Sequence, residues 1–204
     1  YYSDSKKEKN RWDSTITHYD MRSDDLPFEN SKVDVIYCSH VIEHIETEFV
    51  EKFFLESQRV LKTGGVLRIA CPDSFFLYKQ MKNHPEYFSW HPLYTNSQSH
   101  IKCFIDEVAT HRLKQKNYGL EKNIDKYDYD TLIKELRPNG KFDSENPGDH
   151  INNWDFKRIE KLGKKVGFKE ISNSRHQGSF CPALQGSDMD KTHPNMSLYV
   201  DLIN

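Results

Sequence analysis

Residues 38–45, CSHVIEHI, place three side chains that can bind metal ions or move protons within five positions. His40, Glu43 and His44 form a His-x-x-Glu-His pattern, which is a zinc-hydrolase signature when it lies on a long helix. Zinc hydrolysis needs two histidines, a third protein ligand and a glutamate that acts as a base. Either histidine can instead act as a general base by itself, because an imidazole titrates near neutral pH. The surrounding elements decide between these interpretations.

The residues around this pattern indicate a strand, a helix and a second strand. The run VDVIYCS at 33–39 is apolar without alternation, as in a strand covered on both faces. From Val41 onward, apolar residues recur at helical spacing, and Gly64-Gly65 is predicted to stop this helix. The run VLRIACP at 66–72 predicts the next buried strand. This order predicts a parallel sheet covered by helices.

The rest of the chain adds one strand before this segment and, after it, a less regular stretch, a late helix and two strands. STITHYD at 14–20 predicts a strand, and residues 73–148 are expected to form a helical insertion that serves as a lid over the strand ends. DFKRIEKLGKKVGF at 155–168 predicts a late helix that Gly167 closes. KEISNS and MSLYVDLIN predict two final strands, the last of them antiparallel. We expect residues 1–204 to form a single α/β domain.

Composition excludes several classes of partner. The chain has 204 residues, of which 36% are hydrophobic, and this is enough for one domain with a real core. Its net charge of −2 favours neither a nucleic-acid backbone nor an anionic membrane. No apolar run approaches the roughly 20 residues of a membrane span. The four cysteines are far apart, with no Cys-x-x-Cys, and no signal-peptide pattern is present. We expect a cytoplasmic protein that binds no nucleic acid.

Two segments, DLPFENSKVDVIYCSHVIEHI and RVLKTGGVLRIACPD, resemble the class I S-adenosylmethionine-dependent methyltransferases, specifically the type 11 group. In that family a Leu-Pro-Phe loop precedes the fourth strand, and a helix ending in Arg-Val-Leu-Lys-x-Gly-Gly leads to the fifth. HINNWDFKRIEKLGKKVGF is similar to the family's later helix. The resemblance implies a doubly wound, mostly parallel Rossmann-like sheet with an antiparallel last strand. The family's Gly-rich cofactor loop is absent, so the N-terminal part of the domain is expected to be missing before Tyr1.

The resemblance also implies S-adenosylmethionine as cofactor and assigns residues to its site. Asp20 and Met21 would border the adenine, while Cys38, Ser39 and His40 would approach the methionine and the sulfonium. The residues alone leave structural alternatives open. Asp20 can cap its own turn, and Ser39 can be the N-cap of the following helix.

Three histidines are the candidate general bases. His40 and His44 are one helical turn apart and are expected to share a face at the end of the strand. His150 occupies a position where the family often has histidine. The alternative for each is a packed, hydrogen-bonded histidine without a catalytic role.

The expected activity is methyl transfer from S-adenosylmethionine to oxygen or nitrogen of a small-molecule, sugar or lipid-linked acceptor. No metal is expected, because His40 falls at a strand–helix junction rather than inside a long helix. Some RNA 2′-O-methyltransferases hold a divalent ion with Glu-x-x-Glu-His on this helix; here His40 replaces the first Glu, and the basic character that RNA binding needs is absent. Two other functions remain open. One is a non-catalytic scaffold or partner-binding protein with this fold, and the other is a metal-dependent enzyme that uses the His-x-x-Glu-His residues. The sequence leaves the oligomeric state open.

Overall fold

The structure is a computed structural model that describes residues 19–96, 99–110, 123–136, 140–191 and 194–204. Its strands are β1 (Val33–Ser39), β2 (Leu61–Pro72), β3 (Glu170–Asn173) and β4 (Ser197–Ile203). Its α-helices are α1 (Thr47–Val60), α2 (Ser74–Asn83), α3 (Pro92–Thr95), α4 (His100–Val108), α5 (Tyr129–Leu136) and α6 (Phe156–Val166). The strand predicted at 14–20 lies outside the described residues except for its last two positions. Among the helices of these ranges, none combines the length and apolar character that a bilayer crossing requires.

The four strands form one mixed sheet in the order β1-β2-β4-β3. β1 and β2 are parallel, since α1 carries the chain back between them, and Ser39 pairs with Ala70 near their carboxyl ends. β4 runs antiparallel to both β2 and β3. The predicted α/β class and the antiparallel last strand are therefore confirmed.

One face of the sheet carries the main hydrophobic core. Leu67 and Ile69 of β2 and Leu202 of β4 pack there with side chains from α1 and α6. Gly163 lets α6 pack closely against β4, because a Cβ at this position would lie 2.6 Å from Leu202 Cδ2. Gly167 ends α6 with φ of 103°, as the sequence predicts.

The helix after β1 begins later than the sequence indicates. The chain forms a 3-10 turn at Ile42–His44 and two extended residues, Ile45 and Glu46, before α1 starts at Thr47. Residue Glu46 is the N-cap of α1, so the structural alternative in which Ser39 is the N-cap of this helix is wrong.

Side chains from a distant segment explain this delay. Trp154 Nε1 donates to the Ile42 carbonyl at 3.0 Å, and the Asn152 backbone N–H donates to the Glu43 carbonyl at 2.9 Å. The Asn152 side-chain amide donates to the Ile45 carbonyl at 3.0 Å. Because these carbonyls are satisfied by Trp154 and Asn152, they do not need the i+4 amides of an α-helix. Helical spacing in the sequence could not reveal that competition.

The end of α1 also differs from the sequence prediction. The helix ends at Val60 and β2 begins at Leu61, so Gly64-Gly65 lies inside the strand rather than stopping the helix. The register between β1 and β2 shifts at this point. Gly64 has φ of 78°, and a Cβ on Gly65 would lie 2.9 Å from the Lys62 carbonyl oxygen. The two glycines therefore permit an irregular strand entry.

Helices α2 to α5 surround a second hydrophobic cluster, separate from the first. Its buried members include Leu77 of α2, Phe104 of α4, Leu132 of α5, and Met196 just before β4. This cluster joins the helical stretch to the end of the sheet, next to the carboxyl ends of β1 and β2.

Candidate active site

The His-x-x-Glu-His residues meet His150 at the carboxyl end of β1. The Glu43 side chain lies at the centre and is 2% exposed. His40 Nδ1 lies 3.3 Å and His44 Nε2 lies 3.8 Å from Glu43 Oε1. One nitrogen each of His44 and His150 and one Glu43 oxygen lie within 4.8 Å of one another. We call these four residues the Glu43 cluster.

The backbone at His40 turns the chain into this cluster. His40 has φ of 52°, a left-handed conformation that costs a non-glycine residue roughly 1–3 kcal/mol. Its N–H donates to the Ala70 carbonyl at 2.8 Å, which ties it to the end of β2. Its Nε2 lies 2.9 Å from Ser197 Oγ at the start of β4. His40 therefore sits where the ends of three strands meet.

Backbone carbonyls orient the other two histidines. His44 Nδ1 lies 3.0 Å from the Asp149 carbonyl oxygen, and His150 Nδ1 is hydrogen-bonded to the Glu107 carbonyl oxygen. Since a carbonyl oxygen only accepts, each Nδ1 carries a proton and donates it. The two rings pack edge to face with centroids 4.9 Å apart. The histidines predicted as candidate bases are thus brought together, although a 3-10 turn and a loop do this rather than one helix face.

The Glu43 carboxylate is buried without adequate hydrogen bonding. Neither of its oxygens has a hydrogen-bond partner within the described ranges, and His40 Nδ1 lies 3.3 Å from Oε1. Burial raises the pKa of Glu43, but the contact with His40 and the charges that His150, His40 and His44 can carry outweigh it and lower the pKa. The cluster therefore holds an ionised carboxylate that no lysine or arginine of the described residues neutralises.

The predicted cofactor-binding loop contacts this cluster. Asp20 is exposed, and its Oδ1 accepts from the Arg22 N–H at 2.9 Å, which caps the turn. The Met21 side chain is 8% exposed and packs in the main core. Arg22 Nη2 donates to the His44 carbonyl at 2.8 Å, so this loop lies beside the histidines.

The other predicted cofactor-binding residues end β1. Cys38 is buried in the main core, whereas Ser39 is half-buried. Burial, and then the nearby Glu43 carboxylate, raise the pKa of the Cys38 thiol far above its usual range. Cys38 is therefore a neutral thiol that packs, and it has no thiolate character for nucleophilic chemistry.

Arg22, Glu46 and Phe142 contact one another beside the Glu43 cluster. Arg22 Nε lies 3.0 Å from Glu46 Oε2, and its guanidinium stacks 3.9 Å from the centre of the Phe142 ring. The Phe142 N–H donates to Glu46 Oε1 at 2.9 Å. Burial raises the pKa of Glu46, but the Phe142 N–H and Arg22 lower it overall. Only the position of Arg22 directly after Asp20-Met21 hinted at a role.

The N-terminal third of the chain matches a known family. Residues 2–69 match the family model described as "Methyltransferase domain". This match covers the strand–helix–strand segment that carries His40, Glu43 and His44. It confirms the resemblance stated from the sequence: the N-terminal third of the chain is similar to the class I S-adenosylmethionine-dependent methyltransferases.

The chain is also similar, at low sequence identity, to three solved methyltransferase structures. A SAM-dependent methyltransferase from Archaeoglobus fulgidus is 8% identical with a TM-score of 0.39, and the alignment covers 87% of this chain and 62% of the other chain. A possible histamine N-methyltransferase from Thermotoga maritima is 13% identical with a TM-score of 0.37, covering 88% and 59%. PKMT2 from Rickettsia typhi, in complex with AdoHcy, is 13% identical with a TM-score of 0.34, covering 85% and 36%. This chain thus spans about 60% or less of their lengths. A search of curated protein sequences gives no significant match.

Proposed function

We propose that this protein transfers the methyl group of S-adenosylmethionine to a small-molecule acceptor. The observation that carries the proposal is the Glu43 cluster at the carboxyl end of β1, of which His40, Glu43 and His44 lie inside the segment that matches the methyltransferase family. In open α/β sheets, ligands bind in the crevice outside the carboxyl ends of the strands. A cluster of imidazoles and a carboxylate at that place can prepare an acceptor for methylation.

We assign the cofactor to the β1 end of the crevice. Asp20 and Met21 would border the adenine, and Cys38, Ser39 and His40 would border the methionine portion. The exposure of Asp20 supports its part, since its carboxylate is accessible to a ligand amine. The burial of Met21 and Cys38 limits them to apolar contact from below.

We assign acceptor activation to His40, His44 and His150. Methyl transfer from a sulfonium needs alignment with the nucleophile and, for a hydroxyl, removal of its proton. Imidazoles beside a buried carboxylate can accept a proton or hold a cation, and both would make an acceptor oxygen more nucleophilic. Contacts with Glu107 and Phe142 bring the helical stretch to this site, which supports a role for that stretch in covering the acceptor.

Calorimetric titration with S-adenosylhomocysteine tests the cofactor assignment. We expect micromolar binding to the protein. Replacing Asp20 with Ala should weaken binding about 10-fold or more, because a hydrogen bond to a charged group contributes about 1.5–3 kcal/mol. Asp34→Ala is the matched control, since Asp34 is also exposed but contacts only Lys62 at 2.8 Å. Absence of binding at millimolar ligand would instead support a non-catalytic, partner-binding protein.

A transfer assay tests the histidines. Labelled S-adenosylmethionine is incubated with fractionated small-molecule extracts until an acceptor is found. His44→Ala and His150→Ala should then lower turnover about 100-fold, the usual range for acid–base groups, with little change in S-adenosylhomocysteine affinity. Turnover at the wild-type rate in both variants across pH 6 to 9 would contradict the assignment and point to a neutral amine acceptor that needs only alignment.

A further inference from the structure

We propose that Glu43, His44 and His150 bind a divalent transition-metal cation. The sequence predicts no metal, because the His-x-x-Glu-His pattern does not lie on a long helix. The structure provides a third ligand that this reasoning did not include. His150 arrives from a loop more than a hundred residues later and completes a set of one carboxylate and two imidazoles.

The geometry fits a single small cation. The three ligand atoms lie within 4.8 Å of one another, and His44 Nε2 is 3.8 Å from Glu43 Oε1. With bonds of about 2.1 Å, two ligands of a tetrahedral zinc ion are about 3.4 Å apart. A closure of a few tenths of an ångström therefore suffices to bring the His44 and Glu43 atoms onto one ion, and the His150 atom, within 4.8 Å of both, would have to move closer by at most about 1.4 Å.

The carbonyl contacts of the two histidines are those expected around a bound metal. A histidine that binds metal usually donates its other ring N–H to a carbonyl or a carboxylate, which fixes the tautomer. His44 Nδ1 donates to the backbone carbonyl of Asp149, and His150 Nδ1 donates to the backbone carbonyl of Glu107. With the proton on Nδ1, the neutral form of each ring has its lone pair on Nε2, the nitrogen that coordinates a metal.

The Glu43 carboxylate supplies an independent observation. Its oxygens are buried and have no hydrogen-bond partner within the described ranges. A buried charge of this kind is costly unless it is paired or coordinates a metal. A divalent cation would neutralise the carboxylate and occupy its vacant acceptor positions.

A second histidine–acid cluster shows what a satisfied arrangement looks like. His91, Asp106 and Glu107 also have three potential ligand atoms within 4.8 Å. However, His91 Nδ1 accepts from the Leu93 N–H at 3.1 Å, so the ring proton lies on Nε2 and points to Glu107 Oε1 at 3.0 Å. This ring has no lone pair directed at the acids and holds helix α3 as a cap. We expect no metal there.

The donor set indicates the class of cation. Two imidazoles with one glutamate form a ligand set that zinc uses in catalytic sites, and imidazole also suits cobalt, iron and nickel. Three protein ligands leave at least one position open for an acceptor oxygen. This part of the inference rests on the proposed function. A hydroxyl bound there would lose its proton to water, and the resulting oxygen would form the new C–O bond as the C–S bond breaks, with its electron pair left on sulfur.

Titration with Co²⁺ tests the binding claim without any activity assay. The protein is dialysed against a chelator at pH 7.5, and Co²⁺ is added while visible absorption is recorded. We expect saturable binding of one ion per chain at micromolar Co²⁺, with displacement by Zn²⁺. If the wild-type protein shows no Co²⁺ binding at any concentration up to millimolar, the proposal is overturned, whatever the variants do.

Variants locate the site. Glu43→Gln, His44→Ala and His150→Ala should each weaken Co²⁺ binding by at least 100-fold, more than the roughly 10- to 100-fold typical of outer-shell changes. Asp106→Asn is the matched control from the satisfied cluster and should bind as the wild type does. Weaker binding in Asp106→Asn with unchanged binding in Glu43→Gln would place the ion at His91 and overturn the assignment. S-adenosylhomocysteine binding, measured separately, distinguishes failure of the metal site from failure of the methyltransferase proposal.

Discussion

Two clusters of buried charge lie close to β1 and β2, and they are treated very differently by the fold. One surrounds Arg68 in the middle of β2, and the other is the Glu43 cluster at the carboxyl end of β1. In both, acidic side chains are almost completely removed from water. Only the acidic groups around Arg68 are fully paired within the described residues. We interpret the Arg68 network as structural and the Glu43 cluster as a candidate ligand site.

The Arg68 guanidinium pairs with two buried aspartates. Its Nη2 lies 2.6 Å from Asp190 Oδ2, and its Nη1 lies 2.8 Å from Asp201 Oδ1. The remaining oxygens are also satisfied: Asp190 Oδ1 accepts from Tyr37 at 3.1 Å, and Asp201 Oδ2 accepts from the Phe180 N–H at 2.9 Å. The network ties the face of the sheet opposite the main core to residues 174–190.

The Glu43 carboxylate lacks comparable partners among the described residues. Its carboxylate has histidines around it at 3.3 Å or more and no guanidinium or ammonium partner among the described residues. A fold that needed only stability would gain by replacing this glutamate with an apolar residue. The cluster also lies at the end of the strands where α/β proteins bind ligands, whereas Arg68 lies in mid-strand.

The largest expected effect comes from breaking the Arg68 network. Arg68→Met should lower the free energy of unfolding by about 3–5 kcal/mol, because it leaves two buried aspartates without their cation. Lys62→Met is the control, since Lys62 and Asp34 form an exposed pair whose loss should cost about 0–1 kcal/mol. Urea denaturation followed by circular dichroism measures both. Equal losses in the two variants would mean that burial does not distinguish these ion pairs.

The same network should make stability depend on acid pH. Burial raises the pKa of Asp190, but hydrogen bonds from Arg68 and the Gln177 N–H outweigh burial and lower the pKa overall. A carboxylate whose folded pKa lies below its unfolded value, about 3.9, stabilises the fold above that value and loses this contribution as pH falls through the folded pKa. We expect Asp190→Asn to be less stable at pH 7 but to lose less stability between pH 5 and 2. Urea midpoints across this range measure the slope, and parallel slopes for both proteins would contradict the pairing.

The sequence predicted the elements around these clusters better than the clusters themselves. The buried runs at 33–39 and 66–72 and the late helix were evident, because hydrophobic patterns are local. The spacing of His40 and His44 marked them as candidate bases, and the family resemblance added His150. The pairing of Arg68 with Asp190 and Asp201 joins residues more than a hundred positions apart, and no local pattern encodes it.

The start of α1 shows why the local geometry of the site could not be predicted. Apolar spacing from Val41 indicates a continuous helix, yet Trp154 and Asn152 take the carbonyls that such a helix would use. The resulting 3-10 turn brings Glu43 under the histidines. The sequence identified the candidate residues, but their arrangement depends on a tertiary contact that overrides helical preference.

The smallest expected effect is that of Glu43→Gln on the free energy of unfolding. It tests most directly whether the Glu43 cluster differs from the Arg68 network. Glu43→Gln in chelator-treated protein at pH 8 should change the free energy of unfolding by less than about 1 kcal/mol. The lost contacts with His40 and His44 are long, and removing a buried charge without adequate hydrogen bonds offsets their loss. Urea denaturation beside Arg68→Met provides the comparison. A loss of about 3 kcal/mol or more would show that protonated histidines already neutralise Glu43, as Arg68 neutralises its aspartates. The cluster would then be a second structural network, and the argument that its carboxylate awaits a cation would fail with it.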